Sequence, residues 1–165
     1  MGLVSGFLAL LGTLAGCDQK RVEKLEEGVS TEADVRKRFG EPENIWDAPA
    51  GRVFEYNRQP QGQKNYMITI GPDGKMSALR QVLNPNTFEQ VKPGMTMEQV
   101  RRMLGEPAKR TPYALKKEEA WDWRYMQAPS TSMMFTVWFN PDMRVLRTSS
   151  GPDPEAPENR GGPSR

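Results

Sequence analysis

One motif, spelled twice, restricts this chain more than any other feature. From Val22 it runs Val22-x-x-Leu25-x-x-Gly28-Val29-Ser30, and from Phe88 it runs Phe88-x-x-Val91-x-x-Gly94-Met95-Thr96. After a slip of one residue, Val35-Arg36-Lys37-Arg38-Phe39-Gly40-Glu41-Pro42 meets Val100-Arg101-Arg102-Met103-Leu104-Gly105-Glu106-Pro107. Phe54-Glu55-Tyr56 then corresponds to Trp121-Asp122-Trp123, and Gly71-Pro72-Asp73 to Asn140-Pro141-Asp142. An ordered series of this kind marks a duplicated small domain, with a period too long for a solenoid. The units are expected over 17–84 and 85–150. Residues 151–165, rich in Pro and Gly and poor in large apolar groups, are expected to be a disordered tail.

The motif has a physical reading. Thr96 and Gln99 form a capping box, with Met95 and Val100 as a hydrophobic staple across the helix start. Val100, Met103 and Leu104 share a helical face. Gly105 supplies a positive-φ residue at the helix end, and Pro107 stops continuation. The first copy repeats the pattern less cleanly, with Thr31 or Ser30 as the cap, Val35 and Phe39 on the face, then Gly40 and Pro42. Helices this short must dock on something. The strands that follow alternate: Trp121, Trp123 and Tyr125 against Asp122 and Arg124, then Phe135, Val137 and Phe139; in the first copy Phe54 and Tyr56, then Tyr66, Ile68 and Ile70. Asp73-Gly74 and Asn140-Pro141-Asp142 mark turns between strands. The expected class is α+β: two tandem ααβββ(β) repeats, helices on one face of each antiparallel sheet, the other face left to solvent or a partner. Because a unit of this size is marginal alone, the copies are expected to pack side by side.

Composition closes off whole classes of chemistry. The 165 residues include no histidine and a single cysteine, so His-based triads, His zinc ligands, internal disulfides and Cys-only zinc sites are excluded. A net charge of +2 is too small for a dedicated nucleic-acid protein. No catalytic residue, cofactor or metal site is expected, and no nucleic acid. Paired carboxylates (Glu118 with Glu119, or Glu55 with Asp122) could in principle serve a hydrolase. The first pair reads instead as a charged loop beside Lys116 and Lys117, and the second as the polar face of strands. Lys109, Arg110, Lys116 and Lys117 could touch anionic headgroups or form a solvated loop.

The first sixteen residues, uncharged and rich in Leu, Gly and Ala, span about 24 Å as a helix, short of a bilayer core. They read as the apolar region of a signal peptide over 1–16. Leu14-Ala15-Gly16-Cys17 resembles the bacterial lipobox, which makes Cys17 the expected lipidation site and mature N-terminus. More than one acyl chain, such as palmitate, makes a stable membrane anchor.

The string Gly94-Met95-Thr96-x-x-Gln99-Val100-x-x-x-Leu104-Gly105-x-Pro107, followed by Trp121-x-Trp123 and Phe135-x-Val137-x-Phe139, resembles the SmpA/OmlA (BamE) family of outer-membrane assembly lipoproteins. The resemblance covers 88–148 closely and 22–82 more loosely. It implies an ααβββ domain, a non-enzymatic scaffold role in outer-membrane β-barrel protein assembly, and a lipid-anchored protein facing the periplasm. The implied partners are other subunits of that machinery or another periplasmic protein. The doubled arrangement is also similar to the β-lactamase inhibitor protein, which implies the alternative of a periplasmic binding or inhibitor module. Asp18 resembles an inner-membrane retention signal, whereas the domain resemblance implies the outer membrane, the expected location.

Overall fold

The computed structural model describes residues 20–159. The expected signal peptide, Cys17 and residues 160–165 lie outside them. Each repeat is a capped two-turn helix followed by a four-stranded antiparallel meander, so the α+β class and the tandem repeat hold. In the first, α1 (Glu32–Phe39) precedes β1 (Asn44–Ala48), β2 (Gly51–Asn57), β3 (Asn65–Ile70) and β4 (Met76–Gln81). A one-turn helix, α2 (Pro85–Phe88), leads into the second: α3 (Met97–Leu104), β5 (Lys109–Tyr113), β6 (Glu118–Gln127), β7 (Thr131–Phe139) and β8 (Val145–Pro152).

The helix devices recur copy for copy. Thr96 Oγ1 accepts the Gln99 N–H at 3.1 Å while Gln99 Oε1 accepts the Thr96 N–H at 2.8 Å. In the first copy Thr31, not Ser30, is the cap, boxed with Asp34. Such caps contribute about 1 kcal/mol each. Gly40 and Gly105 end the helices at φ 85° and 81°. The carbonyl of Gly40 accepts the Tyr56 hydroxyl at 3.0 Å, and that of Gly105 accepts Trp123 Nε1 at 3.1 Å. One aromatic on the second strand thus fastens each helix end to its sheet. Ahead of the helices, the N–H groups of Gly28 and Gly94 donate to Met76 O and Val145 O.

Val35 and Phe39 pack on Phe54, Tyr56, Tyr66, Ile68, Ile70 and Met76. Val100 and Leu104 pack on Trp121, Trp123, Tyr125, Phe135, Val137 and Phe139, where Phe88 stacks on Phe135 at 4.1 Å. Each sheet also has an outer strand, β1 or β5, that hydropathy did not signal. Lys109 and Arg110 lie on β5 and Glu118 and Glu119 open β6, so the charged loop expected there shrinks to residues 114–117. Charged side chains suit an edge strand, and Arg110 lies 4.5 Å over the Trp121 ring.

The repeats do not simply lie side by side with two open faces. The face of the first sheet opposite α1 receives the C-terminal end of α3. Glu55, expected on a solvated polar face, is fully buried. Its carboxylate pairs with Arg101 and accepts from Asn57 Nδ2 at 2.6 Å, Asn44 Nδ2 at 3.0 Å and the Glu106 N–H at 3.0 Å. Asn57 Oδ1 also accepts the Glu106 N–H, and Asn65 Nδ2 donates to Leu104 O and Glu106 O. These side chains satisfy helix-end groups that would otherwise be buried without partners. Around them Met67, with the partly buried Trp46 and Val53, joins the second core. A Cβ on Gly105 would meet Asn57 Oδ1 at 2.5 Å, whereas one on Gly40 would meet nothing within 4 Å; only the second glycine is pressed against another repeat.

Ordered structure runs past residue 150, where composition led to an expectation of disorder. β8 reaches Pro152, Asp153 and Ala156 are buried, and Pro157–Asn159 form a 3-10 turn. The ordering comes from specific contacts: Asp153 lies 3.3 Å from Arg124 Nε and its N–H donates to Ser132 O.

Candidate functional site

The equivalent face of the second sheet has no helix against it among the described residues. Strand alternation places Trp121, Trp123 and Tyr125 toward α3, so Ala120, Asp122 and Arg124 point away, alongside Met134, Thr136 and Trp138 of β7. Lys109, Thr111 and Tyr113 extend this face along β5, and Arg147 and Ser149 along β8.

Two clusters organise it. At one end the half-buried Trp138 meets Tyr113 with ring centroids 5.0 Å apart, and the Arg147 guanidinium lies 4.4 Å over the indole. Arg147 grips Glu118 with two hydrogen bonds, at 2.8 and 3.2 Å. The hydrogen bond from Arg147 holds the Glu118 carboxyl below its ordinary range, and Glu118 in turn raises Arg147. The adjoining turn carries a fully exposed Leu115 beside Lys116 and Lys117. At the other end Arg124 pairs with Asp153 and Glu155 and donates to Pro60 O at 3.2 Å. Gln59 clasps the Arg124 backbone, donating to its carbonyl at 2.8 Å and accepting its N–H at 3.2 Å. A cavity of about 320 Å³ opens between Pro60, Lys109, Arg124, Met134 and Glu155. Between the clusters, Asp122 Oδ1 accepts the Thr136 hydroxyl at 2.6 Å.

An aromatic–cation platform with paired charges around it suits recognition of another protein surface. The two carboxylate pairs have separate tasks: Glu118 holds Arg147, Glu119 accepts from Trp121 Nε1 at 2.6 Å, Glu55 is sealed between the repeats, and Asp122 lies on the open face. Among the described residues no cluster of three or more metal-ligating side chains occurs, and no helix is long and apolar enough to cross a membrane.

The motif residues Gly94, Thr96, Gln99, Val100, Leu104, Gly105 and Pro107 form the helix and its ends, with Trp121 and Trp123 buried beneath it. They position the sheet without reaching its open face. Sequence reading missed Trp138, whose signal was present: an indole at a polar-parity position of β7, between Val137 and Phe139.

Residues 81–149 match the family model described as the outer membrane protein assembly factor BamE domain. The resemblance carried by Gly94–Pro107 and Trp121–Phe139 therefore holds, over the repeat that owns the open face. No curated protein matches the chain. Among solved structures it is similar to YjgB, a DUF4309 family protein of Bacillus subtilis, at 20% identity and TM-score 0.33 over 81% of this chain and 85% of that one. It is also similar to a candidate β-lactamase inhibitor protein of Streptococcus mutans, at 11% identity and TM-score 0.33 over 85% and 98%. Likenesses this distant carry no functional argument.

Proposed function

We propose that this chain is a non-enzymatic scaffold of outer-membrane β-barrel protein assembly, tethered by acylated Cys17 and facing the periplasm. The observation that carries the reading is the BamE-domain match over 81–149. The open sheet face agrees with it, because it offers a recognition surface in that same repeat. A lipid anchor supplies the membrane address without a spanning helix, since each buried methylene contributes about 0.8 kcal/mol and two or more chains hold stably.

Such a scaffold must reside where barrels are assembled. The full-length protein made in its own cells should lose residues 1–16, gain the mass of acyl chains on Cys17, and band with the outer membrane in a density gradient. An unmodified mass that includes Met1 would refute the anchor. Wild type in the inner membrane, with only Asp18→Ser moving outward, would overturn the assembly role and leave the inhibitor or binding-module reading in its place.

A further inference from the structure

The two sheets place an acid at the same point of their architecture. In the first, Glu55 of β2 stands between Asn44 of β1 and Met67 of β3; in the second, Asp122 of β6 stands between Lys109 of β5 and Thr136 of β7. Around Glu55 the site is filled by a helix: Arg101 of α3 pairs with the carboxylate, and the Glu106 N–H just past the helix end completes it. Around Asp122 no helix is in place: the carboxylate accepts the Thr136 hydroxyl from the neighbouring strand, and the flanking Lys109 is exposed. Beside it lie Met134 and the partly exposed Trp138, which offer apolar contact to incoming side chains.

From this internal precedent we propose that the open face of the second sheet receives an α-helical segment of a protein partner whose arginine pairs with Asp122, as Arg101 pairs with Glu55. The proposal deepens the scaffold reading and rests on it. An arginine suits the position because its planar fork keeps several hydrogen bonds while its stem packs on apolar neighbours. Trp138 and Met134 suit a long apolar side chain one turn from such an arginine, as Met97 stands one turn before Arg101 on α3. A second copy of this chain is a poorer occupant. Its exposed helix α1 carries Glu32 where α3 has Met97, and Arg36 already pairs with Glu32 and Glu41 and lies 4.9 Å over its own Phe54 ring.

The test places a photo-crosslinking amino acid at Ser149, an exposed residue of β8 opposite Thr136, in the full chain expressed in its own cells. The expected adduct is a protein, with the crosslinked peptide mapping to an arginine-bearing helix of that partner. Asp122→Arg should lower adduct yield by about ten-fold or more, because a like charge replaces the pair. Asp122→Asn, a milder change, should lower it in the same direction. Changing the partner's arginine to aspartate should restore the adduct with Asp122→Arg. An unaltered yield with both Asp122 variants overturns the proposal. So does an adduct to lipid, to a second copy or to an extended strand, or no adduct at all. If such a failure leaves co-purification with assembly subunits intact, only the helix-docking inference falls; if co-purification fails too, the scaffold reading falls with it.

Discussion

Replacing Trp123 with alanine is expected to cost about 3–5 kcal/mol of folding stability, read from the denaturant midpoint. The indole is fully buried, packs beside Trp121 and Phe135, and its Nε1 donates to Gly105 O at 3.1 Å. Removing it opens a cavity under α3 and leaves the last carbonyl of the helix cap without its donor, two losses that act together. Trp138→Ala, on the open face, should cost clearly less, since that ring is partly exposed. A Trp123→Ala midpoint within error of wild type would mean that this strand does not pack beneath the helix.

The second large effect concerns the seam between the repeats. Arg101→Ala should cost about 3–5 kcal/mol, because it leaves the Glu55 carboxylate buried without its cation. Arg36 is the copy of Arg101 in α1, but its carboxylates, Glu32 and Glu41, both reach solvent. Arg36→Ala should therefore lose no more than about 1 kcal/mol through its ion pairs. Replacing Glu55 and Arg101 together with leucines should recover only part of the loss, since an apolar pair removes the desolvation cost along with the attraction but takes from Asn57 Nδ2 and Asn44 Nδ2 their Glu55 acceptor. Equal losses for Arg36→Ala and Arg101→Ala in chemical denaturation would contradict the buried seam.

The contrast between these two arginines shows what the sequence could and could not reveal. Local patterns were legible: the Thr96–Gln99 box, the glycine stops at Gly40 and Gly105, and the alternation of Trp121, Trp123 and Tyr125 each follow from backbone geometry over a few residues. The placement of the second repeat was not. Asn57 and Asn65 occupy alternate strand positions and look like solvent-facing residues; only the path of residues 82–96, with Val82, Leu83 and Phe88 buried, carries α3 round to the back of the first sheet. Edge strands β1 and β5 escaped because each is only five residues long and mixes Asn44 and Asp47, or Lys109, Arg110 and Pro112, with its other positions, and their pairing is imposed by the neighbouring strand. The open face was half legible. Its polar residues, Asp122 and Arg124, follow from alternation as pointing away from the core, whereas Trp138 looks like core because it is an aromatic inside an apolar run, and only its parity with Thr136 marks it as outward. Arg124 held a further surprise, since its partners Asp153 and Glu155 lie in a segment whose composition suggests no structure at all.

The central claim, that the chain serves assembly of outer-membrane β-barrels by holding a protein partner, is tested most directly by affinity purification of the tagged, full-length lipoprotein from detergent-solubilised membranes of its own cells. The account predicts that subunits of the barrel assembly machinery co-purify in near-stoichiometric amounts and survive a salt wash, as expected of an interface with an apolar centre. Recovery of the lipoprotein alone, or only with a soluble periplasmic enzyme, would contradict it.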